Sequence, residues 1–446
     1  MAEALKDVLE SGQTEFYIRT MEPSDIINLG SASWFEFHEH IQKLHQQAII
    51  EAKEMKEEAV KDMIISYNKI HVLVYEAICV SVWKEKVLSR LLNKQVKFQT
   101  TLVPYMILFH EATAIEFLEV LLYHADSCEA LGETSLELID YSVFALIKLL
   151  ANKCNVDTTK VSDNFDTSES IKEKQLTLDF NIGIKCISII GCIAQNLDSL
   201  PLSATTHIFS THDIPIILTN LIENKPWMKK TSGKTLKFED CTWKEIKDEE
   251  NMKVTRTEAQ TWLALHHLLL DPRCPAHYDI NEYRKNQLIK LQCFLHENVM
   301  DQLSPLIELK YWLAQLACSN PPSPSQRPLI LEVIPKIRQK ILEKYSKRWN
   351  SVANKHAQLV CDTDENHMKA ITQSLNEAYD LDKIEALVLT PKPCVGCGEP
   401  AERKCSRCKA PYCGRECQVK NWPQHKSSCD FVHLKTVLEV CIINAI

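Results

Sequence analysis

Residues 394–429 read CVGCGEPAERKCSRCKAPYCGRECQVKNWPQHKSSC, with seven cysteines and one histidine at C-x2-C-x7-C-x2-C-x4-C-x3-C-x7-H-x3-C. The candidate ligands are Cys394, Cys397, Cys405, Cys408, Cys413, Cys417, His425 and Cys429. Zinc takes four soft ligands in a tetrahedron, and a Cys-x2-Cys turn supplies two of them at once. Two pairs of that kind, with Cys413/Cys417 and His425/Cys429 at one residue wider, complete two sites with no ligand left over and no open coordination position, so the ions expected here are structural. The spacing alone allows either sequential or interleaved pairing. Thirty-six residues are too few to bury a stabilising core, so metal binding supplies the folding free energy.

The same cysteines could instead form a disulfide cluster, which needs an oxidising compartment. Residues 1–30 lack a basic start followed by an apolar stretch and a small-residue cleavage site, so secretion is not expected. The other eleven cysteines, among them Cys79, Cys186, Cys192 and Cys293, are scattered, many among apolar helical residues. There they read as small buried hydrophobes in a reducing cell.

Outward from these ligands, Pro393 to Cys429 holds seven Lys/Arg against three Asp/Glu, a formal +4. Seven thiolates and two Zn²⁺ contribute −3, leaving about +1. DNA affinity needs several uncompensated phosphate contacts, and no base-reading helix stands out. Nucleic acid is therefore not the expected partner. With −8 overall, the remaining chain carries −12, and 45% of all residues are hydrophobic. No uncharged apolar run approaches the roughly eighteen residues that cross a bilayer, so membrane insertion is not expected.

Only nine glycines occur, three of them among the cysteines, which disfavours a nucleotide-binding α/β domain. Helical patterning dominates instead. Leu136, Ile139, Val143, Ile147 and Leu150 form one stripe. A helix is predicted to begin at Thr257, with Gln260 completing a capping box, and to stop before Asp271-Pro272. Others are predicted over 34–60, 70–94, 107–125, 171–197, 280–300 and 329–349, with a short hairpin lined by Leu236, Phe238, Trp243 and Ile246. The fold class is all-α: an irregular α-solenoid of armadillo or HEAT type, or a helical bundle, followed by the small two-zinc module. The expected organisation is a helical body over 1–319 with a mobile loop at 154–169, then a proline-stiffened linker. A separate helical extension over 329–390, the zinc module at 394–429 and a tail at 430–446 follow.

Catalytic constellations are incomplete. Gly233-Lys234-Thr235 imitates the end of a P-loop, but Met228 occupies its first glycine position. The lysines around it, Lys225, Lys229, Lys230 and Lys237, read as a solvated loop. His110-Glu111 opens a zincin-like motif that Ala114 breaks, and His266 and His267 read as structural. Ser210, His212 and Asp213 lie too close in sequence to build a triad.

The ligand spacing and intervening residues resemble the MYND zinc finger. That resemblance implies a cross-brace, with Cys394, Cys397, Cys413 and Cys417 on the first zinc and Cys405, Cys408, His425 and Cys429 on the second. It also implies a groove for proline-rich peptides at Gln418 and Trp422, where an indole face suits proline rings and an amide bonds extended backbone. Some MYND proteins are SET-domain methyltransferases, but the only Gly-x-Gly here flanks Cys397 and Asn366-His367 is followed by Met368. No enzyme activity is expected.

Further along the chain, His110-Glu111-Ala112, Ser210-Thr211-His212, Ser232-Gly233-Lys234, Cys405-Ser406-Arg407-Cys408 and Glu416-Cys417-Gln418-Val419-Lys420 carry a wider resemblance over residues 15–429. The chain resembles MYND-finger proteins of the dynein axonemal assembly factor kind. The resemblance implies a non-enzymatic co-chaperone scaffold for cytoplasmic pre-assembly of axonemal dynein arms in ciliated cells. Its implied partners are a leucine-rich-repeat and CS-domain assembly factor, an FKBP-type immunophilin, heat-shock chaperones, and dynein chains as clients. The implied location is cytoplasmic, with enrichment near centrosomes or centriolar satellites at the ciliary base. The alternative is a nuclear co-repressor adaptor that uses the same finger to recruit proline-rich peptides.

Overall fold

The computed structural model describes residues 7–53, 57–93, 102–151, 167–231, 234–239, 241–246, 253–319, 335–361, 396–397, 403–405 and 411–422. Its two compact units are Leu9–Thr363 and a smaller one that includes Asp364–Ile446. The larger unit begins with α1 (Ser11–Thr20), α2 (Ala32–Lys53), α3 (Ala59–Ser66) and α4 (Ile70–Trp83). A π-turn at Lys84–Leu88 carries α4 into α5 (Ser89–Asn93). Next come α6 (Leu102–Leu121), α7 (Ala125–Leu131), α8 (Thr134–Ala151) and α9 (Thr167–Gln195). After α10 (Leu202–Thr206) a second π-turn, His207–Thr211, leads to α11 (Ile214–Asn224). Three strands follow, β1 (Met228–Thr231), β2 (Lys234–Glu239) and β3 (Thr242–Glu245). The unit closes with α12 (Arg256–Leu269), α13 (Cys274–His277), α14 (Glu282–Ile289), α15 (Glu297–Gln302), α16 (Leu306–Cys318), α17 (Ile337–Lys344) and α18 (Trp349–Cys361).

The helices stack in two layers. One runs α2, α6, α9, α12, α16 and the other α4, α8, α11, α14, each helix touching the next. Across the layers α4 pairs with α6, α8 with α9, α11 with α12, and α14 with α16. Each pair buries its apolar faces against the pairs on either side, which is how an α-solenoid builds a continuous core. The members differ widely in length, from 29 residues in α9 to 8 in α14, so no fixed period is visible in the sequence. Residues 169–195 of α9 are long and apolar enough, by composition, to cross a bilayer. In the fold that helix is the spine, packed between α6, α8 and α12.

Three sequence expectations shift. The N-cap of α12 is Thr255, whose Oγ1 accepts from the Glu258 N–H at 3.1 Å. Both Thr255-x-x-Glu258 and Thr257-x-x-Gln260 fit a capping box, but Gln260 Oε1 instead accepts from Ser188 Oγ at 2.7 Å. The expected hairpin is the β2–β3 part of a three-stranded antiparallel meander, with Phe238 paired to Trp243. Both rings pack on Phe180 of α9, at centroid distances of 4.9 and 5.6 Å. Lys230 is exposed, as a solvated loop would have it, but Lys225, Lys229 and Lys237 are engaged. Lys229 lies 4.3 Å from the Trp243 ring centroid, Lys225 pairs with Glu258 at 2.9 Å, and Lys237 donates to the Lys253 carbonyl at 2.7 Å.

Third, the described part of the expected separate extension packs on the body. Helix α17 packs on α4, and α18 lies against α5 and the π-turn before it. The Ile337 N–H donates to Glu137 Oε1 at 2.9 Å, and Lys344 pairs with Asp25 at 2.8 Å. His356 accepts from Trp83 Nε1 at 3.4 Å and donates from Nε2 to the Ile26 carbonyl at 3.0 Å. Burial brings that neutral ring down to about 4. The linker at 320–328, the tail at 430–446 and residues 154–166 of the expected loop lie outside the described residues, whereas 167–169 open α9.

Candidate metal centre

In the smaller unit, β4 (Arg403–Lys404) pairs antiparallel with β5 (Pro411–Tyr412), Arg403 opposite Tyr412. Residues 415–422 are helical, and the Gln418 N–H closes the first turn on the Gly414 carbonyl at 3.2 Å. Cys413 stands just before this helix and Cys417 in its first turn. Four residues apart, the two project to one side. The turn at 396–397 brings in Cys397, with its Sγ 3.4 Å from that of Cys413. All three sulfurs lie within 4.8 Å of one another. Cys405, just after β4, is buried with Tyr412, and Cys413 and Cys417 pack against the pair. The Tyr412 hydroxyl donates to Asn421 Oδ1 at 2.9 Å, which ties the hairpin to the helix.

Zinc fits this geometry. Bonds of about 2.3 Å to sulfur in a tetrahedron place sulfurs about 3.8 Å apart. A disulfide would need about 2.05 Å, and among the described residues no cysteine is in one. Cys397, Cys413 and Cys417 thus come together at a spacing that one ion could bridge. Cys405 is buried with Tyr412 in the core of the module. Cys394, Cys408, His425 and Cys429 fall outside the described residues. Gln418 and Trp422 share one side of the 415–422 helix. Gln418 is half-buried, and Trp422 is 37% exposed beside Val419 at 64%.

The catalytic look-alikes of the body resolve into structural contacts. His110 is fully buried, its Nδ1 2.8 Å from His38 Nδ1 and its Nε2 3.1 Å from Glu76. Glu111 points elsewhere, to Lys84 Nζ at 2.5 Å and the Tyr141 hydroxyl at 2.8 Å, with Asp179 also 2.5 Å from Lys84. Burial opposes the ammonium charge of Lys84, but Glu111 and Asp179 outweigh it and hold the group above its usual range. His266 lies 3.7 Å from Glu308. Gly233 lies outside the described residues. Ser210 donates to the His277 carbonyl at 3.1 Å and His212 bonds Asp140 at 2.6 Å, whereas Asp213 accepts from Tyr278 and Arg284, each at 2.7 Å. They form no triad. Asp140 and His207 escaped sequence reading because nothing in the spacing announces that a π-turn aligns His207 with His212.

Comparison with known proteins bears on both units. The MYND finger family matches residues 394–429. A Drosophila melanogaster protein, "Zinc finger MYND domain-containing protein 10 homolog", is 34% identical over 439 residues, covering 93% of this chain and 97% of its own. "Dauer abnormal formation protein 25" of Caenorhabditis elegans is 50% identical over 48 residues, 10% of this chain and 12% of its own. No solved structure matches. A zinc-binding MYND finger thus follows a helical body, and the relationship to the fly protein spans both: the chain belongs to the zinc finger MYND domain-containing protein 10 family.

Proposed function

We propose that this chain is a non-enzymatic adaptor and co-chaperone scaffold for cytoplasmic pre-assembly of axonemal dynein arms, as motile cilia require. The observation that carries the reading is that the family relationship runs through body and finger together. A scaffold needs both surfaces, whereas a borrowed finger would match over the finger alone. Its partners are the leucine-rich-repeat and CS-domain assembly factor, the FKBP-type immunophilin and heat-shock chaperones, with dynein chains as clients. It works in the cytoplasm, near the centrosomes or centriolar satellites at the ciliary base.

The finger holds two structural Zn²⁺, one on Cys394, Cys397, Cys413 and Cys417 and one on Cys405, Cys408, His425 and Cys429. The metal's chemistry here is to fix the chain. Recognition falls to Gln418 and Trp422, the amide bonding an extended peptide backbone and the indole packing on proline. Affinity purification from ciliating cells tests this. Trp422→Ala and Cys413→Ala should lose the assembly factors that the native protein recovers. Unchanged recovery by both variants removes the finger from the mechanism, and a wholly nuclear protein favours the co-repressor reading.

A further inference from the structure

A second convergence of metal-ligating side chains lies in the body, at Asp140, His207 and His212. Asp140 belongs to α8, and the two histidines bracket the π-turn that links α10 to α11. In an α-helix, residues five apart point about 140° away from each other. The π-turn removes that divergence, because the His212 N–H donates to the His207 carbonyl, at 3.0 Å. Both Nε2 atoms consequently reach one carboxylate oxygen, Asp140 Oδ1, at 3.4 Å from His207 and 2.6 Å from His212.

The backbone carrying this pair is held in place from outside. Asp213, directly after His212, is a non-glycine residue in the left-handed region, with φ +51° and ψ +50°. That conformation costs L residues energy. Here the Tyr278 hydroxyl and Arg284 Nε fix the Asp213 carboxylate, and Ser210 is anchored on the His277 carbonyl. A solvated Asp–His pair needs none of this scaffolding. Unusual backbone that the surroundings over-determine is characteristic of sites that must hold a geometry.

We propose that Asp140, His207 and His212 bind a divalent transition-metal ion, with zinc as the occupant in a reducing cell. Two imidazoles and one carboxylate are a donor set zinc takes, with water completing the shell. Calcium and magnesium prefer all-oxygen shells. Bonds of about 2.0–2.2 Å place donors about 3.0–3.6 Å apart. The 3.4 Å contact already fits, and the 2.6 Å contact has to open by less than 1 Å. Among the described residues Asp140 has no Lys or Arg ion pair, so an entering cation meets no competitor. The side chains of Asp140, His207 and His212 are 39, 10 and 22% exposed, which leaves an entry path and room for water. An ion here staples the α8/α9 pair to the turn that opens the α11/α12 pair.

Zinc content per chain, measured on purified full-length protein by plasma mass spectrometry, tests the site. Asp140→Asn and His212→Ala should each hold one ion fewer than the native chain, with helical circular dichroism preserved. The near-isosteric Asp140→Asn keeps the test valid if His212→Ala folds poorly. Cobalt substitution separates the site from the finger, since thiolate-bound Co²⁺ gives strong near-ultraviolet charge transfer and imidazole–carboxylate Co²⁺ does not. Cys405→Ala/Cys413→Ala protein should retain weak visible cobalt bands that vanish on adding Asp140→Asn. Equal zinc in the native chain and both variants, or cobalt bands that survive Asp140→Asn, overturns the site and leaves a hydrogen-bonded network alone.

Discussion

In the body the wholly buried side chains include Trp83, Trp227, Trp262, Phe117 and Phe209, whereas in the described part of the finger they are Cys405 and Tyr412. The body removes a large apolar area from water, each large side chain contributing about 1.5–3 kcal/mol. Its ions, such as Lys84 between Glu111 and Asp179, are buried only because partners and hydrogen bonds surround them. Among its described residues the finger buries little more than Cys405 and Tyr412. Its Cys397, Cys413 and Cys417 sulfurs lie within 4.8 Å of one another, a spacing that suits a shared zinc ion. One region stands by packing and the other by coordination, so they should fail under different insults.

Zinc removal should give the largest effect. Structural zinc contributes an apparent 10–16 kcal/mol or so to small fingers at neutral pH. A strong chelator should therefore melt the finger while the far-ultraviolet helical signal of the body persists, and nuclear magnetic resonance would read each separately. Lys84→Ala tests the converse. Leaving Glu111 and Asp179 buried without their cation should destabilise the body by about 3–5 kcal/mol in urea unfolding, with finger zinc unchanged.

Acid comes next. Burial lowers His45 to about 3 and His356 to about 4, both from the ordinary 6.5. Above pH 6.5 these rings are neutral whether the chain is folded or not. Between pH 6.5 and 4 the unfolded chain takes up the protons and the folded one does not, so stability falls as pH falls. The loss from His356 alone should be on the order of 2–3 kcal/mol by pH 4, and His356→Gln should flatten that part of the curve. The smallest effect is Thr255→Ala, which removes the α12 cap for about 1 kcal/mol. A chevron or melting experiment should detect it in the body with no change in metal content.

Much of this contrast was legible in the residues. Zinc ligand spacing is local, so Cys394 to Cys429 could be read as a finger, and helical periodicity is local too, so the stripe from Leu136 to Leu150 found α8. What was hidden depends on which of two equivalent local signals tertiary contacts select. Thr255 and Thr257 each fit the capping-box pattern in sequence, and in the fold Thr255 caps the helix while Gln260 is taken by Ser188. The docking of α17 and α18 joins Ile337 to Glu137 and His356 to Ile26, partners too far apart in sequence to share any pattern. His110-Glu111 looked like half a motif because adjacent residues were read together. In the fold the two side chains enter separate buried networks.

The account's central claim is a finger built by zinc on a body built by burial, and zinc counting tests it most directly. Cys405→Ala/Cys413→Ala full-length protein, which loses one ligand from each proposed finger site, should hold two zinc ions fewer than the native chain while its helical content stays the same. A loss of one ion or none, or a collapse of the body's helices along with the metal, would contradict the account.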